Sequence, residues 1–208
     1  MKIHPQAYGF FFSFCLIGAL IFIFAPELRI ITYVCAFLAL FTLFFFRDPV
    51  RKLPEGEKRI LSPADGTILQ IVPVKRDEQP YYLVSIFMSI FNVHINRVPV
   101  TGKVTDIRYN PGAFLPAFHN KASARNEQSE ITIAAAQGPV IVFRQIAGLI
   151  ARRIICRLDI GQQVTAGERF GMIRFGSRVD IYLPAGCTIH VKKGDSVRGG
   201  SSILGELP

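Results

Sequence analysis

The dipeptide Gly176-Ser177 is the pair of residues in this chain that is best suited to unusual backbone chemistry. Glycine has no Cβ, so it tolerates a strained backbone and leaves its carbonyl carbon open to attack. The hydroxyl of Ser177 can attack that carbonyl and convert the peptide bond into an ester. Elimination from the ester leaves dehydroalanine, which hydrolyses to a pyruvoyl group. Because Gly-Ser is also a common turn dipeptide, this interpretation depends on the surrounding sequence.

Two other segments carry side chains suited to acid–base chemistry. The sequence SPADG at 62–66 places Asp65 on a stiff turn, where a carboxylate can orient a base or polarise a hydroxyl. A plain turn is the alternative. His94 alternates with Asn92 and Asn96 along one face of a predicted strand. A single strand histidine is usually structural, but this polar face in an apolar region makes His94 a candidate general acid or base.

A polar loop at 117–127 supplies a further group of candidates. Lys121 and Arg125 could bind a phosphate, and His119 offers a second titratable group in the same loop. The alternative is a solvated loop with no role in chemistry. Together with Asn92, Lys121 and Arg125 are the candidate substrate-binding residues.

The N-terminal part of the chain contains two uncharged runs, at 8–25 and 30–46. Each is close to the ~20 residues that an α-helix needs to cross a bilayer. A cleaved signal peptide would account for the first run and leave the second unexplained. We therefore expect a helical hairpin in the membrane over 1–52, with a shallow monotopic insertion as the alternative.

The charges that flank these runs predict the orientation of the chain. Basic residues lie outside the two runs at Lys2, Arg47, Arg51, Lys52, Lys58 and Arg59. By the positive-inside rule both ends of the hairpin face the cytoplasm, so the rest of the chain lies on the cytoplasmic face of the inner membrane. Anionic headgroups would also attract this cluster. The net charge of +9 therefore does not require a nucleic-acid partner.

From residue 53 to 208 the sequence predicts a mainly β domain of the barrel-sandwich type. Short β-branched runs alternate there with Gly, Pro and Asn. The pattern GxxVxxG occurs at 161–167 and again at 194–200, and both copies resemble the hairpins of biotinyl and lipoyl domains. Neither copy carries the central lysine of a biotin or lipoyl carrier. The four cysteines lack metal-ligand spacing and predict free thiols without a metal site.

Five motifs in fixed order carry a resemblance to a known family. They are SPADG, VHINRVP, ARNE, RFGSRVDIYLP and the paired GxxVxxG units. Together they resemble the short form of the pyruvoyl-dependent phosphatidylserine decarboxylases, from Ser62 to the C-terminus. The resemblance implies self-cleavage between Gly176 and Ser177 into a β chain, 1–176, and an α chain, 177–208, that stay together as a heterodimer. The pyruvoyl group made from Ser177 would form a Schiff base with phosphatidylserine and accept the electrons released with CO2, giving phosphatidylethanolamine.

The same resemblance implies roles for individual residues. Asp65 matches the acidic residue of self-cleavage, and His94 matches a histidine of the decarboxylation step, as proton donor or substrate orienter. Longer family members carry a second histidine where this chain has Arg97, so their Asp–His–Ser relay cannot be transferred whole. Either His94 serves both steps, His119 substitutes, or the short form cuts by another arrangement.

Other functions remain open from the sequence. A membrane-anchored, non-enzymatic scaffold with lipoyl-like hairpins would also combine these segments, although no coiled-coil heptads are visible. A pyruvoyl enzyme for a soluble amino acid is a third interpretation, and the apolar hairpin argues against it. Membrane lipids are expected partners, and the sequence does not decide whether the chain forms a homo-oligomer.

Overall fold

The computed structural model describes residues 2–113, 126–148, 154–174 and 176–208. The chain divides into two compact units, 1–50 and 51–208. Free thiols are found at all four cysteines.

The first unit is a helical hairpin. Helices α1 (Gln6–Phe24) and α2 (Arg29–Phe45) are joined by a 3-10 turn at Pro26–Leu28. The helices approach closely at Gly18, where a Cβ would stand 3.2 Å from the Cβ of Cys35. Small residues at such positions allow tight helix packing. The predicted apolar helical hairpin is thus confirmed.

Both helices of the hairpin are long and apolar enough to cross a membrane, judged by length and composition. The candidate spans are Gln6–Phe24 and Pro26–Phe45, with mean hydropathies of 2.3 and 2.1. Strands β1 (Lys2–Ile3) and β2 (Arg47–Asp48) pair and close the base of the hairpin.

The second unit is built from strands, which confirms the mainly β prediction. They are β3 (Arg59–Leu61), β4 (Gly66–Arg76), β5 (Gln79–Met88), β6 (Ile95–Arg97), β7 (Gly102–Asn110), β8 (Gln128–Ala135), β9 (Val140–Ala147), β10 (Ile154–Cys156), β11 (Gln163–Val164), β12 (Arg169–Ile173), β13 (Ser177–Pro184), β14 (Thr188–Ile189), β15 (Ser196–Val197) and β16 (Ile203–Glu206). Eight of them form one sheet in the order β11-β7-β8-β9-β13-β5-β4-β15, which curls into a half-barrel. Two three-stranded sheets have the orders β10-β12-β6 and β14-β16-β3.

One face of the large sheet forms the hydrophobic core. Alternate residues along its strands point to the same face, and those on the core face are almost all aliphatic. On the central strand β13 they are Val179, Ile181 and Leu183, all fully buried. Ser177 begins the same row and is also fully buried. The strand pattern thus places the serine hydroxyl at the edge of the apolar core.

The two GxxVxxG units hold equivalent positions. The amide of Gly161 donates to the carbonyl of Val104 on β7, and the amide of Gly194 donates to that of Ile68 on β4, both at 2.8 Å. Gly161 and Gly194 have φ angles of 90° and 92°, in the left-handed region that favours glycine. The repeated sequence therefore encodes a repeated backbone structure.

The equivalence extends well beyond these units. One set of segments comprises β3, the turn 62–66, β4, β14, β15 and β16, which we name the β3 set. The other comprises β6, the turn 98–102, β7, β10, β11 and β12, the β6 set. The two turns bond reciprocally, since Arg97 N donates to Pro63 O and Leu61 N donates to Pro99 O, both at 2.9 Å. The domain is therefore an interleaved pair of related halves.

Candidate functional site

The predicted cleavage dipeptide lies where a loop enters the central strand of the large sheet. Gly176 has a φ of 67°, which an L side chain rarely adopts. Among the described residues, no atom lies within 4 Å of the point where a Cβ on Gly176 would stand. Ser177 is the first residue of β13 and pairs with Met88 on β5 and Ala147 on β9. The sheet thus holds Ser177 on both sides while the residue before it stays unpaired with the ladder.

Among the described residues, the hydrogen-bonding side chains next to the Ser177 hydroxyl are neutral. Its Oγ donates to the Sδ of Met88 at 3.3 Å, and thioether sulfur is a weak acceptor. Asn96 Nδ2 approaches the same sulfur at 3.8 Å. All three side chains are fully buried. The hydroxyl is therefore not locked to a strong acceptor and can turn toward the carbonyl of Gly176.

Gln145 extends this neutral group. Its Nε2 donates to Asn96 Oδ1 at 2.8 Å and to the carbonyl of Ile155 at 3.3 Å. The backbone carbonyl can only accept, so it fixes the orientation of the amide. Gln145 Oε1 is buried without a hydrogen-bond partner among the described residues. An unsatisfied buried acceptor is costly, and such groups are often found at functional sites.

His94 lies just before β6, whose Asn96 belongs to the same group. The ring Nδ1 is 3.0 Å from the carbonyl of Asn92. Since a carbonyl only accepts, Nδ1 carries the hydrogen and the neutral ring presents Nε2 as its basic nitrogen. His94 is fully buried, and the bond to Asn92 fixes the plane of its ring.

Asp65 lies at the same end of the sheet as Ser177. Thr67 pairs with Phe87, and Phe87 pairs with Arg178, so β5 separates the two segments. Two strand spacings correspond to about 10 Å. Asp65 is thus near Ser177 along the sheet edge but is not its direct neighbour on the ladder.

The carboxylate of Asp65 has two partners. Oδ2 accepts from Arg51 Nη2 at 2.6 Å, and Oδ1 accepts from the amide of Gly199 at 2.7 Å. The side chains of both ionic partners are 12% exposed, so little water screens the pair. Arg51 therefore holds the Asp65 carboxylate in one orientation. Both partners of this carboxylate, Arg51 and Gly199, come from outside the SPADG turn.

Arg97 stands where longer family members carry a second histidine. Its Nη1 donates to the carbonyl of Gly167 at 2.8 Å. Its backbone amide donates to Pro63, beside Asp65. The position is therefore next to the acidic turn, while its guanidinium binds the second glycine of a GxxVxxG unit.

The predicted substrate-binding residues are only partly described. His119, Lys121 and Arg125 lie outside the described residues. The side chain of Asn92 accepts from the amide and the hydroxyl of Ser89, at 2.8 and 2.9 Å. Asn92 thus closes the turn that leads to His94, and its role in substrate binding stays a prediction.

The opposite face of the sheet is charged although it is also largely buried. Arg178 donates to Asp180 and to Ser85, both at 2.6 Å, and the Arg178 and Asp180 side chains are at most 2% exposed. Nearby, Glu130 binds Arg76 and Arg144. Burial favours the neutral carboxyl, but hydrogen bonds from the two arginines outweigh it and lower the pKa of Glu130. Ion pairs thus anchor the residue that directly follows Ser177.

Sequence reasoning missed Met88, Gln145, Arg51 and the Arg178 network. Gln145 offered a signal, because it continues the buried face of Ile141 and Phe143 on β9. A polar residue on an apolar strand face marks a buried polar contact. Arg51 and Arg178 gave no such signal, since their partners come from tertiary structure.

The residues around Ser177 fit a small electrophilic group made from that serine. Ser177 is buried, the position of a Cβ on the left-handed Gly176 is open, and strands β5 and β9 would keep residue 177 in place after a cut.

Comparisons with known proteins show the family to which the chain belongs. The family model described as phosphatidylserine decarboxylase matches residues 38–205. A phosphatidylserine decarboxylase proenzyme of Chlorobium chlorochromatii is 48% identical over 196 residues, covering 92% of each chain. One of Chlorobaculum tepidum is 45% identical over 214 residues, covering 99% of this chain and 98% of its own. One of Wolbachia pipientis is 47% identical over 180 residues, or 83% of this chain and 78% of its own. With identities of this size over most of its length, the chain belongs to the phosphatidylserine decarboxylase family.

Proposed function

We propose that the chain is a proenzyme that cuts itself between Gly176 and Ser177 and then decarboxylates phosphatidylserine to phosphatidylethanolamine. The observation that carries the proposal is the fully buried Ser177, held by two strands directly after a left-handed glycine. The family match supports this enzymatic interpretation over a lipoyl-like scaffold. The products of the cut are a β chain, 1–176, and an α chain, 177–208, which remain associated.

In the cutting step, Ser177 Oγ attacks the carbonyl carbon of Gly176 and its proton passes to a base. The amide nitrogen leaves that carbon and becomes the free amine of the serine ester. A base then removes the Cα proton of residue 177 as the Cβ–O bond breaks, which releases the Gly176 carboxylate and leaves dehydroalanine. Water replaces the nitrogen of this dehydroalanine, and the nitrogen leaves as ammonia. Asp65, whose carboxylate is held by Arg51, is the acidic residue that we assign to this step.

The pyruvoyl group supplies a ketone that binds the substrate amine and withdraws electrons from the bond that breaks. Around it, the chain's own residues exclude water and hold protons. His94 presents Nε2 for proton transfer because Asn92 occupies Nδ1. Asn96 and Gln145 supply neutral polar contacts without a positive charge that would stabilise the substrate carboxylate.

The apolar hairpin suits a lipid substrate. A diacyl phospholipid cannot leave the bilayer cheaply, since each CH2 exposed to water costs about 0.8 kcal/mol. We therefore place the hairpin in the cell membrane and the catalytic domain on the cytoplasmic face, as the basic residues around the two apolar runs indicate.

The test is the intact mass of the purified protein under denaturing conditions. We expect two chains divided at Gly176-Ser177, the smaller without a free N-terminal amine, and release of CO2 from phosphatidylserine. Ser177→Ala should give one chain of 23.2 kDa without activity. An uncut wild-type chain from an active preparation, or an active Ser177→Ala variant, would contradict the proposal.

A further inference from the structure

The turn 89–92 exposes two large apolar side chains. Ile90 is 37% exposed and Phe91 is 65% exposed. The turn is nevertheless well bonded, because the amide of Asn92 donates to the carbonyl of Ser89 at 2.9 Å and the Asn92 side chain bonds back to Ser89. The exposure is therefore a property of an ordered turn rather than of a loose loop.

This turn joins two parts of the candidate site. It directly follows Met88, whose sulfur contacts the Ser177 hydroxyl. It ends at Asn92, whose carbonyl fixes the ring of His94. A surface that binds Ile90 and Phe91 would therefore lie close to the segment that contacts Ser177.

The size of the apolar pair restricts what can cover it. A stable protein–protein interface buries about 800 Å² on each partner, far more than two side chains provide. Insertion at the boundary between headgroups and acyl chains needs only a few apolar side chains on a charged domain. Residues 1–50 hold three of the 24 Lys and Arg and two of the 15 Asp and Glu, so almost all of the net charge of +9 belongs to the β domain. That charge suits an anionic bilayer.

We propose that Ile90 and Phe91 insert into the acyl-chain boundary of a phospholipid bilayer and position the Ser177 site at the headgroups. The proposal rests on the lipid substrate proposed above. It adds a second lipid contact, in the β domain itself, to the one expected from the helices.

The chain offers a matched control in the turn 159–162. Ile160 is 64% exposed there, almost equal to Phe91. The turn is closed by the same kind of bonds, since Gln162 N donates to Asp159 O at 3.1 Å and Asp159 N donates to Gln162 Oε1 at 3.0 Å. The two turns therefore resemble each other in how they are closed and in the exposure of Phe91 and Ile160.

The natural chain contains no tryptophan, so a single introduced one gives an unambiguous signal. Phe91→Trp and Ile160→Trp would each be reconstituted as full chains in vesicles of phosphatidylcholine and phosphatidylserine. Emission would be recorded with and without brominated acyl chains, and with aqueous iodide. We expect brominated lipid to quench the Phe91→Trp variant at least threefold more than the Ile160→Trp variant, with iodide showing the reverse order.

Two results would overturn the lipid contact. Equal and weak quenching of both variants by brominated lipid would show that the turn 89–92 stays in water. Protection of the Phe91→Trp variant from both quenchers would show that protein, such as a second copy of the chain, covers the turn.

An activity measurement separates this proposal from the proposed function. For Phe91→Ser we expect about a tenfold slower reaction with long-chain phosphatidylserine in vesicles and less than a twofold change with a water-soluble dihexanoyl substrate. Ile160→Ser should change neither rate. A similar loss of both rates in Phe91→Ser would contradict membrane positioning. Absence of CO2 release by the wild type would defeat the proposed function, while the fluorescence result would still decide the lipid contact.

Discussion

The turns 62–66 and 98–102 have the same construction, yet they carry different side chains at the corresponding positions Asp65 and Thr101. Asp65 Oδ1 accepts from the amide of Gly199 at 2.7 Å, and Thr101 Oγ1 accepts from the amide of Ala166 at 3.0 Å. Each acceptor thus binds the residue before the last glycine of one GxxVxxG unit. The Thr101 hydroxyl in one half and the Asp65 carboxylate in the other therefore accept the same kind of backbone hydrogen bond.

Comparing Asp65 with Thr101 distinguishes the structural role of the Asp65 side chain from its proposed chemical role. Because Thr101 satisfies its amide without charge, the fold does not require a carboxylate at this point. What Asp65 adds is its second oxygen and the contact with Arg51. The β6 set has its own addition, His94, just before β6. Each half of the domain therefore carries one candidate acid–base residue.

Asp65→Thr should give the largest effect, because it copies Thr101 and removes only the carboxylate. We expect self-cleavage to slow by at least about 100-fold, the usual range for loss of a general acid–base group, and activity to disappear with it. The melting temperature should stay within a few degrees of the wild type. Intact mass over time measures the cut, and Thr101→Asp is the control that should cut normally. Efficient cutting of Asp65→Thr would remove the carboxylate from the mechanism.

His94→Ala should affect the second step more than the first. We expect the chain to be cut but its decarboxylation to slow by about 10²–10⁴-fold, since a proton-transfer group is lost. The measurement is CO2 release per cut chain, with the cut fraction determined by mass. A variant that stays uncut would instead assign His94 to self-cleavage.

Arg51→Gln should give a smaller effect on cutting than Asp65→Thr. A hydrogen bond to a charged group contributes about 1.5–3 kcal/mol, which corresponds to roughly a tenfold or greater change in rate if the carboxylate loses its orientation. Arg51→Lys, which keeps the charge, should recover part of the rate. Normal cutting by Arg51→Gln would show that the ion pair only stabilises the turn.

The smallest effect is expected when the two turns are truncated and compared by unfolding. Asp65→Ala leaves a buried amide without its acceptor, at a cost of about 1–3 kcal/mol. Thr101→Ala should cost less, about 0.5–1.5 kcal/mol, because Thr101 is exposed and water can replace its hydroxyl. Thermal unfolding of both variants in detergent checks the order. Equal losses of stability in the two variants would contradict the expected difference between the buried and the exposed turn.

Local patterns predicted much of the fold. The uncharged runs indicated α1 and α2, and β-branched runs indicated the long strands. Both GxxVxxG units were visible because their glycines must adopt positive φ angles, which few other residues tolerate. The relation between SPADG and VPVTG was missed, since the two turns share only Pro and Gly.

Less of the candidate site than of the fold could be predicted from the sequence. Gly176 and Ser177 were identified by their chemistry, but Met88 reaches Ser177 only through the pairing of β13 with β5, and Gln145 joins the group only through its bond to Asn96. The contact of Arg51 with Asp65 depends on how a segment without regular structure returns to the turn. Such contacts follow from tertiary geometry, which local periodicity does not encode.

The start of β13 at Ser177 has a consequence for the two proposed products. A cut before residue 177 would leave residues 178–184 of β13 paired with their neighbours, because the strand begins at the cut. The 177–208 fragment pairs through β13, β15 and β16 with β5, β9, β4 and β3 of the larger fragment. If the chain is cut there, the fragments would behave as a split protein whose halves cannot dissociate without global unfolding. Their apparent affinity is the folding free energy of the domain, and dilution alone should not separate them.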